Sequence, residues 1–117
     1  MGFFKFERLE VWKRSLEWAD ALFDVADGLP QKYQFSLGEQ LRRAALSVPT
    51  NIAEGSGRDG EKESAYFYRI AKGSVYEVVS LMAMAGKRGH LKREAYKSLY
   101  TESVSYTHLT LPTICSV

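Results

Sequence analysis

The sequence predicts an all-α protein, an up-and-down four-helix bundle with a kinked second helix and a truncated fourth helix. Three observations support this fold class. The chain of 117 residues is long enough for one hydrophobic core and too short for two. Its apolar residues recur at alternating spacings of three and four, which is the pattern of amphipathic helices. No segment alternates apolar and polar residues between hairpin turns, as the strands of a sheet would.

The composition excludes several classes of protein. Apolar residues make up 45% of the chain and charged residues 26%, which is a globular mixture and not a disordered one. The net charge of +2 is too small to indicate nucleic-acid binding by itself. No uninterrupted apolar run reaches the roughly 18 residues of a membrane span, and the N-terminal segment lacks the apolar core of a signal peptide. The single Cys115 cannot form an internal disulfide, which fits a reducing cytoplasm, so we expect a cytoplasmic protein. Because no apolar run is long enough to span a membrane, we expect no membrane partner.

The first helix is predicted from Leu9 to Ala26. Gly28 and Pro30 end it, because glycine readily adopts the left-handed cap conformation and proline cannot continue the hydrogen-bonded ladder. The seam expected to face the core consists of Trp12, Leu16, Ala19, Phe23 and Ala26.

The second helix is expected to begin at a capping box formed by Ser36 and Glu39, the S-x-x-E pattern in which each side chain bonds the other residue's backbone. Pro49 has no backbone N–H to donate to the carbonyl of Ala45, which predicts a kink. The glycine-rich segment 55–60 ends the helix. The apolar residues of this helix are Leu37, Leu41, Ala44, Val48 and Ile52.

The third helix is predicted over residues 61–87, between two glycine-containing breaks, and its many small residues favour close approach of a partner helix. Its expected seam is Phe67, Ala71, Ser74, Val78, Leu81 and Ala85. The expected apolar face of the fourth helix is Leu91, Ala95, Tyr96, Leu99 and Tyr100.

The last fifteen residues differ from the rest of the chain. Residues 103–117 contain no charged side chain, are rich in Ser and Thr, and carry Pro112. We therefore expect a bundle domain over residues 1–102 and an irregular tail over 103–117. Two interpretations of the tail are open: a non-native read-through that replaces the natural end of the fourth helix, or a natural flexible tail.

Several segments carry a resemblance to a known family. The run QLRRAALSVPTNIAEG at positions 40–55 is the most specific, and FxxLxVWK at 6–13, FxL at 35–37 and IAxGSxxE at 70–77 accompany it. These segments resemble the four-helix bundle proteins encoded by intervening sequences in bacterial 23S rRNA genes, a family that includes the accessory variability protein of diversity-generating retroelements. The likeness departs at the fourth helix, which continues further in the family.

The resemblance implies a small cytoplasmic bundle that assembles as a homopentamer and has no established enzymatic activity. For the retroelement member, it implies binding to a reverse transcriptase and to nucleic acid. From the resemblance we expect self-association, RNA or DNA as a partner, and a reverse transcriptase as a further partner.

A basic cluster straddles the turn between the last two helices. Residues 87–104 carry five basic residues against two acidic ones, a net charge of +3. The basic residues are Lys87, Arg88, Lys92, Arg93 and Lys97. Repeated around the axis of a ring of subunits, they predict a rim that binds nucleic acid. The alternative is a solvated helix end whose cations complement the negative C-terminal dipole of the third helix.

A polar stripe runs along the second helix beside its apolar row. Its members Arg43, Ser47, Asn51 and Glu54 are spaced by four, four and three residues, which places them on one face. We expect a structural seam that meets Ser74 and Glu77 of the third helix and includes an Arg43–Glu77 ion pair. A ligand contact is the alternative.

No set of residues predicts catalysis, a cofactor or a metal. His90 and His108 are far apart in sequence, and no nucleophile, base and orienting acid occur at a meaningful spacing. The sequence therefore favours a non-enzymatic, homo-oligomeric module that binds nucleic acid or a nucleic-acid enzyme. A structural or protein-interaction scaffold without direct nucleic-acid contact is the alternative.

Overall fold

The computed structural model describes residues 1–109, and within them the chain forms four α-helices and no strand. The helices are α1 (Glu10–Asp27), α2 (Glu39–Ser56), α3 (Glu61–Lys87) and α4 (Arg93–Tyr106). Consecutive helices pack against each other, α2 lying against both α1 and α3, and α4 against α3. The predicted all-α four-helix bundle is confirmed, and the predicted bounds of the third helix are those of α3.

The connection between α1 and α2 is helical along most of its length. A 3-10 turn over Gln31–Tyr33 leads into a π-helical turn over Gln34–Gly38, which continues directly into α2. The prediction of a capping box at Ser36 and Glu39 is wrong, because the chain is already helical before Ser36. The Ser36 hydroxyl instead donates to the carbonyl of Tyr33 at 3.4 Å.

The second helix contains a buried proline. α2 runs from Glu39 to Ser56 with Pro49 inside it, and Pro49 is among the fully buried residues. Because proline cannot donate to the carbonyl four residues earlier, the helix is kinked at this point, as the sequence predicts.

Helices α2 and α3 approach each other closely where Gly55 of α2 meets Tyr68 of α3. A Cβ at position 55 would overlap the Tyr68 ring, which is 3% exposed. The Ser64 hydroxyl donates to the Gly55 carbonyl at 2.8 Å in a buried position. Only glycine therefore permits this packing of α2 on α3.

The buried faces of α1 and α3 are rotated from the predicted seams. α3 buries Ser64, Tyr68, Ala71, Val75, Val78, Met82 and Ala85, so only three of its six predicted seam residues are buried. α1 buries Trp18 and Leu22, whereas Leu16 is 43% exposed. In both helices the apolar arc is wider than the core, and packing decides which part of it is covered.

The fourth helix extends beyond residue 102. It continues to Tyr106, and its buried residues Leu99, Ser103 and Tyr106 repeat the spacing of four and three. The prediction of an irregular tail is therefore corrected for residues 103–106, where the lack of charged residues hid a helical face. Leu109 is also buried. Residues 110–117 lie outside the described residues.

Side chains of α1 and α4 form a polar and aromatic cluster that holds α4 in place. Arg14 donates to the Glu102 carboxylate through Nε and Nη2, at 3.1 and 2.8 Å. The Tyr106 hydroxyl donates to the same carboxylate at 2.6 Å. The Tyr106 ring meets Trp18 edge to face at 5.2 Å, and Trp18 Nε1 donates to the carbonyl of Leu99 at 3.3 Å.

The same cluster perturbs the titration of its members. Partial burial acts to raise the pKa of Glu102, but the hydrogen bonds from Arg14 and Tyr106 outweigh it, and the pKa lies below its ordinary value of 4.5. Burial, reinforced by the hydrogen bond to Glu102, raises the pKa of the Tyr106 phenol. The fold therefore favours a charged Glu102 and a neutral Tyr106.

Substituting Gly55→Ala is expected to destabilise the protein by about 1–3 kcal/mol, because the added methyl group forces the buried Tyr68 ring to move. Chemical denaturation measures the loss. Gly73→Ala is the matched control, since a Cβ at position 73 meets nothing within 4 Å and helix propensity favours Ala over Gly by about 1 kcal/mol. Equal stability of the two variants would contradict the close α2–α3 contact.

Acidification is expected to weaken the attachment of α4. Because the pKa of Glu102 is lower in the folded protein than in the unfolded chain, its stabilisation is complete above about pH 4.5 and is lost as the pH falls through the lowered pKa. Glu102→Gln is expected to cost about 1 kcal/mol at pH 7 and to flatten the acid limb of the stability curve. Glu77→Gln, at an exposed position of α3, is the control. Parallel acid limbs in the two variants would exclude this role of Glu102.

Candidate nucleic-acid interface

The five basic residues predicted to form a rim are all exposed at one end of the bundle. They occupy the last residue of α3, the turn after it and the first half of α4. Because neighbouring helices run in opposite directions, the α1–α2 connection lies at the same end of the bundle. It adds Lys32 and Tyr33 to the group, and the Tyr33 ring contacts the ring of His90. We call this surface the basic end and define it by Lys32, Tyr33, Lys87, Arg88, His90, Lys92, Arg93 and Lys97.

A glycine in the left-handed conformation shapes the turn that carries Arg88 and Lys92. Gly89 has φ +80°, the left-handed conformation that ends many helices. The Gly89 N–H donates to the carbonyl of Gly86 at 3.0 Å, and the His90 N–H donates to the carbonyl of Ala85 at 2.9 Å. This pair of bonds is a Schellman motif, which ends α3 and turns the chain towards α4.

Tyr33 joins the two connections at the basic end. Arg88 donates to the Tyr33 hydroxyl through Nε at 3.0 Å and through Nη2 at 2.7 Å. Lys32 Nζ lies 5.2 Å from the centroid of the Tyr33 ring, and Arg88 Cζ lies 5.7 Å from it. The His90 ring lies 5.6 Å from the same ring. One tyrosine thus contacts two cations and an imidazole, which the sequence alone does not reveal.

The two arginines of the basic end, Arg88 and Arg93, differ in their pairing from four of the six other arginines of the chain. Arg14, Arg42, Arg43 and Arg58 each contact a carboxylate, on Glu102, Asp27, Glu39 and Glu54 respectively. Within residues 1–109, no lysine or arginine of the basic end forms an ion pair with a carboxylate. Their charges are not neutralised by the protein itself.

The polar stripe of α2 is partly an internal seam. The Ser74 hydroxyl of α3 donates to the Ser47 hydroxyl at 2.8 Å, as the predicted contact with Ser74 requires. The Asn51 amide donates to the carbonyl and the hydroxyl of Ser47, at 2.7 and 2.9 Å. The Ser74–Ser47 bond links α2 and α3 beside their apolar contact, and the two Asn51 bonds lie within α2.

The two ends of the polar stripe face solvent. The predicted Arg43–Glu77 ion pair is wrong: Arg43 is 77% exposed and contacts Glu39, one turn earlier, at 3.6 Å. Glu77 is exposed because α3 turns Val75 and Val78 towards the core. Glu54 contacts Arg58 at 2.8 Å.

Residues 1–109 leave two apolar surfaces uncovered. The first apolar face is a groove of about 560 Å³ between α1 and α2, in which Leu16 and Leu46 are 43% and 48% exposed. It is lined chiefly by Phe6, Trp12, Leu16, Leu46, Pro49 and Ala53. The second apolar face is a groove of about 370 Å³ between α3 and α4. Its main lining residues are Val75, Tyr76, Val79, Tyr100 and Val104.

Two residues of the seam predicted for α1 line the first apolar face. The sequence predicts that Trp12 and Leu16 face the interior. Leu16 is instead 43% exposed, whereas the partly buried Trp12 packs against the core and also lines the first apolar face. Since α1–α2 and α3–α4 are opposite sides of a bundle whose neighbours follow chain order, the two faces point in opposite directions.

Other kinds of site find no support in the described part of the chain. Residues 1–109 contain no group of three or more His, Cys, Asp or Glu side chains placed to hold a metal ion. None of the described helices has the length and apolar character needed to cross a bilayer. Cys115 lies outside the described residues.

Comparison with known proteins identifies one family. The family model described as 23S rRNA-intervening sequence protein matches residues 7–110, a span that includes all four helices and the basic end. No curated protein matches the chain. The match agrees with the resemblance carried by the run at positions 40–55.

Proposed function

The chain belongs to the 23S rRNA-intervening sequence protein family, and from that premise we propose that it is a non-enzymatic, homo-oligomeric module whose basic end binds nucleic acid. The observation that carries this proposal is the set of basic-end cations without a carboxylate partner within residues 1–109. A cytoplasmic location and the absence of catalysis are parts of the same proposal.

Electrostatics favour phosphate as the ligand of this surface. Each phosphate that a Lys or Arg neutralises releases condensed counterions, so a cluster of unpaired cations binds nucleic acid in a salt-dependent way. The helix dipole explains the cluster less well. At the basic end α1 and α3 terminate while α2 and α4 begin, so the negative ends of two dipoles lie beside the positive ends of two others.

Self-association supplies the cover for the two apolar faces. Packing the first face of one copy on the second face of the next is a head-to-tail contact, which closes into a ring when the rotation allows it. A homopentamer is the ring that the family resemblance implies. In such a ring the basic ends of all copies gather on one rim, and their combined field exceeds that of a single chain.

A reverse transcriptase is the protein partner that fits this proposal for a retroelement-associated member. The second candidate function is a protein-interaction scaffold without direct nucleic-acid contact, which the size of the uncovered apolar faces favours. The two candidate functions predict different effects of charge reversal at the basic end on RNA affinity.

The double substitution Leu16→Glu and Leu46→Glu is expected to convert an oligomer to a monomer without unfolding it, because both side chains are already exposed in the single chain. Light scattering gives the mass, and a thermal melt reports folding. Met84→Glu is the matched control, as Met84 is 49% exposed and lines neither face. A wild-type chain that is monomeric, or a double variant that still assembles, would overturn the proposed assembly.

Replacing Arg88, Lys92 and Arg93 by Glu is expected to abolish RNA binding at moderate salt. The slope of log K against log salt is expected to fall in magnitude by about 0.7 for each phosphate contact removed from a single strand. Titration of a labelled single-stranded RNA at several salt concentrations measures both quantities.

The matched control for that variant replaces Lys5, Lys13 and Lys62 by Glu. It makes the same change in net charge at exposed positions towards the other end of the bundle. If both variants weaken binding equally, total charge and not the basic end decides affinity. If neither does, the scaffold is the better account.

A further inference from the structure

We infer that Tyr33 is a positioning residue that orients the Arg88 guanidinium to bind a phosphodiester group of single-stranded RNA. The inference rests on the proposed function and deepens it, since it adds the α1–α2 connection to a rim that the sequence placed only on α3 and α4. Tyr33 and Arg88 are 55 residues apart in the chain, and their contact spans the two connections at the basic end.

The two hydrogen bonds select one edge of the guanidinium. Nε and Nη2 of Arg88 both donate to the Tyr33 hydroxyl oxygen, so this oxygen occupies the edge formed by those two nitrogens. The other edge presents one N–H from Nη1 and one from Nη2. That pair of parallel donors matches two oxygens of a phosphate, which is the geometry of bidentate recognition.

The acceptor that holds Arg88 is a neutral phenol, and this distinguishes Arg88 from the arginines that carboxylates hold. Arg14 and Arg42 are held by the carboxylates of Glu102 and Asp27, so their charges are compensated. A phenol hydroxyl fixes the guanidinium without compensating its charge. Arg88 is therefore oriented in advance and still attractive to an anion, which lowers the entropy lost on binding.

Tyr33 is itself held in place. Its backbone N–H donates to the carbonyl of Pro30 at 2.9 Å, and its ring contacts the His90 ring. Lys32 Nζ lies 5.2 Å from the centroid of the same ring and adds a second cation beside Tyr33.

The test compares Tyr33→Phe with the wild-type protein in the titration of labelled single-stranded RNA. Phenylalanine keeps the ring and removes the oxygen that holds Arg88. We expect the affinity to fall by about threefold to tenfold, and the salt slope to fall by about 0.7, which corresponds to one phosphate contact on a single strand. Tyr66→Phe is the matched control, because Tyr66 is 54% exposed in the first half of α3, away from the basic end.

A double-variant cycle separates positioning from simple loss of a contact. If Tyr33 acts through Arg88, Tyr33→Phe has no effect in an Arg88→Ala background, so the two losses are not additive. Full additivity would overturn the inference, as would an affinity and salt slope of Tyr33→Phe equal to those of the Tyr66→Phe control. Thermal melts of both tyrosine variants show whether the fold is intact.

The outcomes distinguish this inference from the proposed function. If the triple charge reversal abolishes binding while Tyr33→Phe leaves affinity unchanged, the rim stands and only the positioning role falls. If the triple charge reversal leaves affinity unchanged, the proposed function falls and the positioning role falls with it.

Discussion

The arrangement of the bundle depends on the contact between a glycine of α2 and a tyrosine ring of α3. Tyr68 packs where any side chain on Gly55 would sit, and this sets how α3 is rotated about its own axis. With that rotation Val75 and Met82 face the core. Tyr76 is left 67% exposed and lines the second apolar face, so a packing constraint near one end of α3 determines which surface the protein presents further along the helix.

Helix positions follow from local signals, and helix rotations do not. Residues 61–87 were predicted with the bounds that α3 has, because glycine-containing breaks flank a long periodic segment on both sides. The seams of α1 and α3 were misplaced because each apolar arc is broader than the surface that a monomer core covers. Ser36 was misread as a helix cap for a related reason: a local motif does not report that the preceding residues are already helical.

The candidate site was predictable in its charges and not in its geometry. The five cations of residues 87–97 stand out as a local excess of charge, and all are exposed. No local pattern in the sequence indicates Tyr33 and Lys32, because their relation to Arg88 is set by topology across 55 residues. The sequence does contain a signal for them. The α1–α2 and α3–α4 connections of an antiparallel bundle lie at the same end, so the Lys32-Tyr33 pair is expected at the end that carries the five cations. The Arg43–Glu77 pair does not form because both side chains face solvent, where Arg43 contacts Glu39 one helical turn earlier.

The thin attachment of α4 has a consequence for local stability. This helix buries only Leu99, Ser103 and Tyr106 in its 14 residues, whereas α2 buries eight of its 18. Its backbone amides are therefore expected to exchange with solvent hydrogen through a partial opening that leaves the other three helices folded. Lys92, Arg93 and Lys97 move away with α4 in that opening, while Lys32, Tyr33 and Arg88 stay on the remaining core. The cationic surface is thus divided between a cooperative unit that opens early and one that opens only with the whole protein.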